Sequence, residues 1–257
     1  MVELKTSYTL SRIPYITYGA LDDYAEAIIA DFAPELLHTP GILNAEGFIE
    51  YYLGLSTRYL RICYSRKVLG MTAFNGGMLD IIDEETGMED SVPVEKGTII
   101  LDTSLTGKRN LPRLRFTLIH EGVHWLIHRP AFAEDNPCGL IGAYENQFLA
   151  AKEGRVDYSR SQKEKTDIER VERQADFLSS AILMPRPALR TAFRDFFNFY
   201  GEKPRRIIRG NDIMDDCFAA QLPQYVAKLF GVSNRAALIR LEKLTAIVDG
   251  RTWRGAR

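Results

Sequence analysis

Residues 115–128 read RFTLIHEGVHWLIH, which sets three of the chain's four histidines, His120, His124 and His128, within nine positions, and Glu121 directly after the first. Apolar residues recur through it at helical spacing, so a helix is predicted over 112–128, opening at Pro112. Side chains four apart share one helix face, so His120 and His124 can aim an imidazole nitrogen at a single ion. Glu121 lies about 100° round the helix, within reach of a water on that ion. The pattern is His-Glu-x-x-His: two zinc ligands and a general base.

The bland alternative is a surface helix that carries these residues idly. Against it, Leu118, Ile119, Gly122, Trp125 and Leu126 fall on the opposite side of the wheel, leaving the histidine face as the one not consumed by packing. Zinc held by three protein ligands keeps one position for water, lowers its pKa toward about 7 and polarises a carbonyl, while a glutamate takes the proton. His128 continues the series of fours, but it stands about 12 Å along the axis from His120, too far to share the ion. It is read as a packing histidine or an outer partner of a ligand.

The third ligand must come from elsewhere. In VERQADFLSSAILMP, residues 171–185, Glu172 and Asp176 lie four apart on a helix predicted over 167–183. Glu172 is the best candidate to complete the site. Asp176, one turn on, suits accepting the free ring N–H of a ligand histidine. Glu169 is the main rival of Glu172, with Glu164 and Asp167 nearby.

Outward from this pair, helices are predicted over Leu21–Leu37 and Ala45–Leu55. From Arg58 the period drops to two in YLRICYS, KVLGMTAF and GMLDIID, predicting an antiparallel meander, followed by an acidic loop and the strand GTIILD, residues 97–102. As an edge strand bordering the cleft, GTIILD would accept an extended peptide. Residues 129–166 read as a long excursion with a short helix around Tyr144 to Lys152. Helices follow over 188–197, near 218–230 and over 234–247, with the basic segment KPRRIIRG between.

These elements predict an α+β fold: a small mixed or antiparallel sheet packed on the metal helix, with additional N- and C-terminal helices. Three segments are expected: 1–56, helical; 57–200, the catalytic core, with strands over 57–102; and 201–257, helical.

The 257 residues are 46% hydrophobic and 26% charged with a formal net charge of −1, so no global field draws the chain to nucleic acid or an anionic membrane. No run approaches 18 uncharged apolar residues, and the N-terminus lacks a signal-peptide pattern. Cys63, Cys138 and Cys217 are an odd number at unrelated spacings, which suits a reducing cytosol better than a disulfide framework. A soluble cytoplasmic protein is expected.

RFTLIHEGVHWLIH and ERQADFLSSAILMP resemble the Arg-Phe-Thr-x-x-His-Glu-x-x-His and Glu-x-x-Ala-Asn-x-Phe-Ala-x-x-Leu-Leu-Met-Pro stretches of the ImmA/IrrE family of zinc-dependent peptidases. The resemblance implies a zincin-like fold, His120, His124 and Glu172 as zinc ligands, and Glu121 as the base. It also implies proteolysis of a regulatory protein, commonly a helix-turn-helix repressor, in stress response or mobile-element control. Asp176 stands where the family commonly has asparagine, a spacing that resembles the Glu-x-x-x-Asp of gluzincins, and the connection between His124 and Glu172 is long.

Two other classes compete. QYVAKLFGVSNRAALIRL, residues 224–241, has the Ala-x-x-x-Gly-Val-Ser core of a DNA-binding helix-turn-helix, but Ala237 and Arg240 stand where a recognition helix buries larger apolar residues. A toxin–antitoxin-type partner with a structural or vestigial zinc site would not need Glu121. Tyr144, Tyr158 and Tyr200 are candidate oxyanion donors, and Cys138 a candidate inhibitory zinc ligand, with no motif to choose among them.

Overall fold

The computed structural model describes residues 1–133, 148–152 and 166–253. The chain is a mixed α+β protein of seven helices and small sheets among the described residues. By contacts it forms two units, one of residues 1–24 and 44–179, the other of 25–43 and 180–257, where the sequence reading had three consecutive segments.

In the first unit, β1 (Ser7–Tyr8) pairs with β2 (Pro14–Tyr15), and helix α1 (Tyr18–Phe32) begins. Helix α2 (Ala45–Gly47), capped by the Asn44 side chain, runs on as a π-helical stretch over Phe48–Tyr52. Strands β3 (Ser56–Leu60), β4 (Val68–Ala73), β5 (Gly77–Ile82), β6 (Glu89–Val94), β7 (Thr98–Asp102) and β8 (Phe148–Lys152) follow, with helix α3 (Leu111–Val123) between the last two. Helix α4 (Asp167–Leu183) runs from this unit into the second.

The strands do not pair in chain order. The main sheet has the order β3-β7-β4-β8, with β3 parallel to β7 and the other pairings antiparallel, while β5 and β6 form a separate hairpin. The expected meander is therefore corrected: β3, β4 and β5 are not neighbours, and part of the acidic loop is strand β6. GTIILD is likewise not an edge. As β7 it lies between β3 and β4 with all five residues buried, the behaviour of an unbroken apolar run covered on both faces. Among the described residues the edges are β3 and β8. Residues 148–152, expected to end a short helix, form β8 instead; residues 144–147 lie outside those described.

One buried cluster joins Ile62, Met71, Leu79, Ile81 and Ile100, so the hairpin and the main sheet share apolar side chains. A second joins Ile13, Phe74, Ala131, Phe132 and Val171, with Phe74 and Phe132 stacked at 4.4 Å. This cluster binds the segment that follows α3 to the start of α4.

The second unit contains α5 (Arg186–Phe199), β9 (Ile207–Arg209), α6 (Ile213–Phe230), α7 (Asn234–Lys243) and β10 (Ile247–Asp249), with β9 and β10 parallel. Phe196, Phe197 and Phe218 pack edge to face at 5.3–5.8 Å, a favoured aromatic geometry. Helix α6 starts at Asp212, whose side chain accepts from Asp215 N, and ends at Gly231 in the left-handed conformation with φ 64°, where glycine carries no Cβ penalty. Ser233 caps α7 by accepting from Ala236 N. Arg240 is buried, and its Nε–H donates to the Met184 carbonyl at 3.3 Å. Among the described residues, no helix is long and apolar enough to cross a membrane.

Candidate metal centre

Two glycines let the neighbouring elements close on α3. A Cβ on Gly122 would come within 2.4 Å of Ile49 Cδ1 and 3.0 Å of Leu53 Cδ1, and one on Gly70 of β4 within 2.7 Å of Thr117 Cγ2 and 3.0 Å of Glu121 Cγ. Backbone therefore approaches the helix from both the α2 and the sheet sides. The histidine face is not left open, contrary to the wheel argument. Residues 117–124 are buried throughout, His120, Glu121 and His124 included, because α4 brings Glu172, Gln174 and Asp176 against that face.

His120 Nε2 and His124 Nε2 meet at 2.8 Å. Glu172 reaches both, its Oε2 lying 3.6 Å from His120 Nε2 and its Oε1 3.6 Å from His124 Nε2. Among the described residues these three form a group able to hold a metal ion, with ligand atoms within 4.8 Å of one another. Glu169 is not in the group. Its backbone N–H is capped by Thr166 at the start of α4, while Asp167 accepts from Ser11 at 2.7 Å. Glu164 and Cys138 lie outside the described residues.

Hydrogen-bond directions fix what the two imidazoles offer. His120 Nδ1 lies 3.0 Å from Asp176 Oδ1, an acceptor, so Nδ1 carries the proton and Nε2 the lone pair. Behind His124 runs a longer chain. Gln174 Nε2–H donates to the Pro14 carbonyl at 2.8 Å, which orients the amide so that Oε1 accepts from His128 Nε2–H at 3.0 Å. Burial pushes the pKa of His128 down to about 3, the Gln174 hydrogen bond opposing this and the charge that His120 carries when protonated adding to it. A neutral His128 then has only a lone pair at Nδ1, and His124 Nδ1–H donates to it at 3.1 Å. His124 Nε2 therefore also presents a lone pair. Two lone pairs at 2.8 Å repel unless a cation, a proton or a metal ion, lies with them.

Glu121 sits one residue beyond His120 on α3. The Thr72 hydroxyl of β4 lies 2.8 Å from Glu121 Oε2 and 2.9 Å from its backbone carbonyl, and its single hydrogen serves one at a time. Thr72 of β4 thus holds the Glu121 carboxylate against the sheet.

Of the residues that sequence reasoning singled out, His120, His124 and Glu172 converge, with Asp176 against His120 and His128 against His124, while the Glu121 carboxylate lies against Thr72. Sequence reasoning missed Thr72, Gly70 and Gln174. Gln174 lies within the quoted α4 stretch, but nothing in spacing alone connects it to His128. Of the tyrosines, Tyr200 in the second unit donates its hydroxyl to Gln221 Oε1, and Tyr144 and Tyr158 lie outside the described residues.

No curated protein matches the chain. The family model described as the IrrE N-terminal-like domain, of peptidase family M78, matches residues 143–242. That span contains Glu172 and Asp176 and begins after His128. The match over α4 and the helices that follow supports the assignment of this chain to the ImmA/IrrE family of peptidases.

Proposed function

We propose that the protein is a zinc-dependent metalloendopeptidase in which His120, His124 and Glu172 hold the ion and Glu121 is the general base. The observation that carries this reading is the convergence of the two Nε2 lone pairs at 2.8 Å, with a carboxylate 3.6 Å from each. Two imidazoles and one carboxylate are a donor set that suits zinc and leaves a coordination position open. A bound Zn²⁺ would supply Lewis acidity that acidifies water and polarises the scissile carbonyl.

The chain's own residues do the rest. Glu121 takes a proton from the attacking water and returns it to the leaving amine, so no covalent intermediate on the protein is needed. Thr72 keeps the Glu121 carboxylate in place through its hydroxyl. Asp176 and the His128–Gln174 pair hold the two imidazoles in the tautomers that point lone pairs inward. With β7 interior, main-chain addition of an extended substrate falls to an edge, β8 or β3. The substrate is a regulatory protein of the helix-turn-helix repressor type, cleaved in the cytoplasm; family resemblance supports this choice.

The test is metal content by elemental mass spectrometry. Near one zinc per chain is expected in wild type and in Glu121→Gln, with loss in His120→Ala and Glu172→Ala. Cleavage of a candidate repressor by wild type and not by Glu121→Gln would follow. Full zinc in both His120→Ala and Glu172→Ala would sink the assignment.

A further inference from the structure

The second unit contains a cavity of about 400 Å³. Five arginines line it, Arg186, Arg190, Arg194, Arg205 and Arg206, and among the described residues no acidic one does. Three of them recur every fourth residue on α5, so they climb one helix face in steps of about 6 Å. The other two come from the segment before β9. The floor is apolar: Leu189 and Phe193 from α5, Leu241 from α7 and Leu244 just after it.

Not all of this charge is committed to the fold. Arg186 pairs with Glu26 and Arg205 with Asp215. Arg194 has only its chain neighbour Asp195 at 3.5 Å, and Arg190 has no ion pair among the described residues. Arg206 is held without an acid: its Nε–H donates to the Thr245 carbonyl at 2.9 Å, and its guanidinium lies 4.3 Å from the Trp253 ring centroid. Three cationic side chains thus share one concavity, where each raises the potential felt by the others and an anion would relieve it.

Thr245 sharpens the point. It follows α7 at φ 58°, its N–H donating to the Glu242 carbonyl while Ala246 N–H donates to that of Leu241. This is a helix-ending turn that glycine would make without strain, whereas a β-branched residue there costs about 1–3 kcal/mol. The strained residue lines the cavity and supplies the carbonyl that fixes Arg206.

We propose that this cavity binds a phosphorylated small molecule with an aromatic body, of the nucleoside polyphosphate class. Guanidinium forks match phosphate oxygens two at a time, and several forks in series suit several phosphates better than one carboxylate. The volume is that of a small-molecule site and far exceeds what a bare ion fills. Phe193 and the leucines give a planar ring an apolar bed, and a flat nucleic-acid surface would not need one.

The experiment is isothermal titration of the full chain with ATP as probe, beside inorganic triphosphate and adenosine. ATP is expected to bind with a micromolar Kd, and triphosphate at least about tenfold more weakly. Arg190→Ala/Arg194→Ala should weaken ATP by about tenfold or more, while Arg235→Ala, an exposed arginine on α7, should not. Both α5 positions are exposed, and thermal melts check that the double variant folds. Quenching of Trp253 fluorescence on ATP addition, absent in Trp253→Phe, would locate the ligand. The proposal is overturned if ATP gives no heat at millimolar concentration, if the double variant binds ATP unchanged, or if triphosphate binds as tightly as ATP. It is equally overturned if duplex DNA, and not ATP, shows the Arg190/Arg194 dependence. None of these readouts depends on the metal centre.

Discussion

His128 stands directly behind His124, Nδ1 to Nδ1 at 3.1 Å, on the side away from the meeting of His120 and His124. Because Gln174 Oε1 claims the other nitrogen of His128, the proton between the two rings belongs to His124. A histidine outside the group of His120, His124 and Glu172 therefore settles which nitrogen of His124 faces that group with a lone pair.

Replacing His128 by phenylalanine keeps a ring in the space and removes the acceptor. His124 Nδ1–H is then buried without its partner, and the Nε2 lone pair is no longer enforced. Zinc affinity should fall by about 10–100-fold, read by competition with a chelator of known strength. Unchanged affinity in a folded variant would remove His128 from the centre.

Thr72→Val preserves shape and deletes the hydroxyl that faces Glu121. Leaving a buried carboxylate without that donor costs about 1–3 kcal/mol, visible as a lower denaturation midpoint. Zinc content should stay at the wild-type level while peptide cleavage drops, since Thr72 touches Glu121, the proposed base, and not His120, His124 or Glu172. Zinc loss in this variant would contradict the placement.

Gly70→Ala tests how closely β4 approaches α3. The added methyl meets Thr117 at 2.7 Å and Glu121 at 3.0 Å, so one of them must shift. Destabilisation of about 1–3 kcal/mol is expected, together with reduced cleavage, whereas Gly87→Ala, in open space at a turn, should affect stability through its positive φ alone and leave cleavage intact.

Acid sensitivity of the second unit should follow Asp215. Burial pushes its carboxyl up, but hydrogen bonds from Arg205, Asn211 and the Ile208 N–H, with the Arg205 charge, outweigh this and hold the pKa below the ordinary value. A depressed carboxylate contributes stability that is present above the unfolded-chain pKa, about 3.9, and lost as pH falls through the folded one. Asp215→Asn should lower stability at pH 7 and flatten its decline between pH 5 and pH 2, measured by denaturant unfolding across that range. A parallel decline in both proteins would refute the assignment.

What the sequence determined by itself was whatever one helix or one short run encodes. His120, Glu121 and His124 are legible because 3.6 residues per turn fixes their relation without reference to the rest of the chain. Distance along the helix likewise excluded His128 as a ligand. Glu172 and Asp176 were legible as a pair on α4, with Glu172 the best candidate to meet His120 and His124 and the family resemblance pointing the same way, but spacing cannot say which acid among Glu164, Asp167, Glu169 and Glu172 crosses to another element. The tertiary structure decided that crossing, and the order β3-β7-β4-β8 that makes GTIILD an interior strand. It also decided the burial of the histidine face under α4 and the parts played by Thr72, Gly70 and Gln174. All of these depend on which elements pack together, a choice made by the burial of apolar surface over the whole chain and not by any local period.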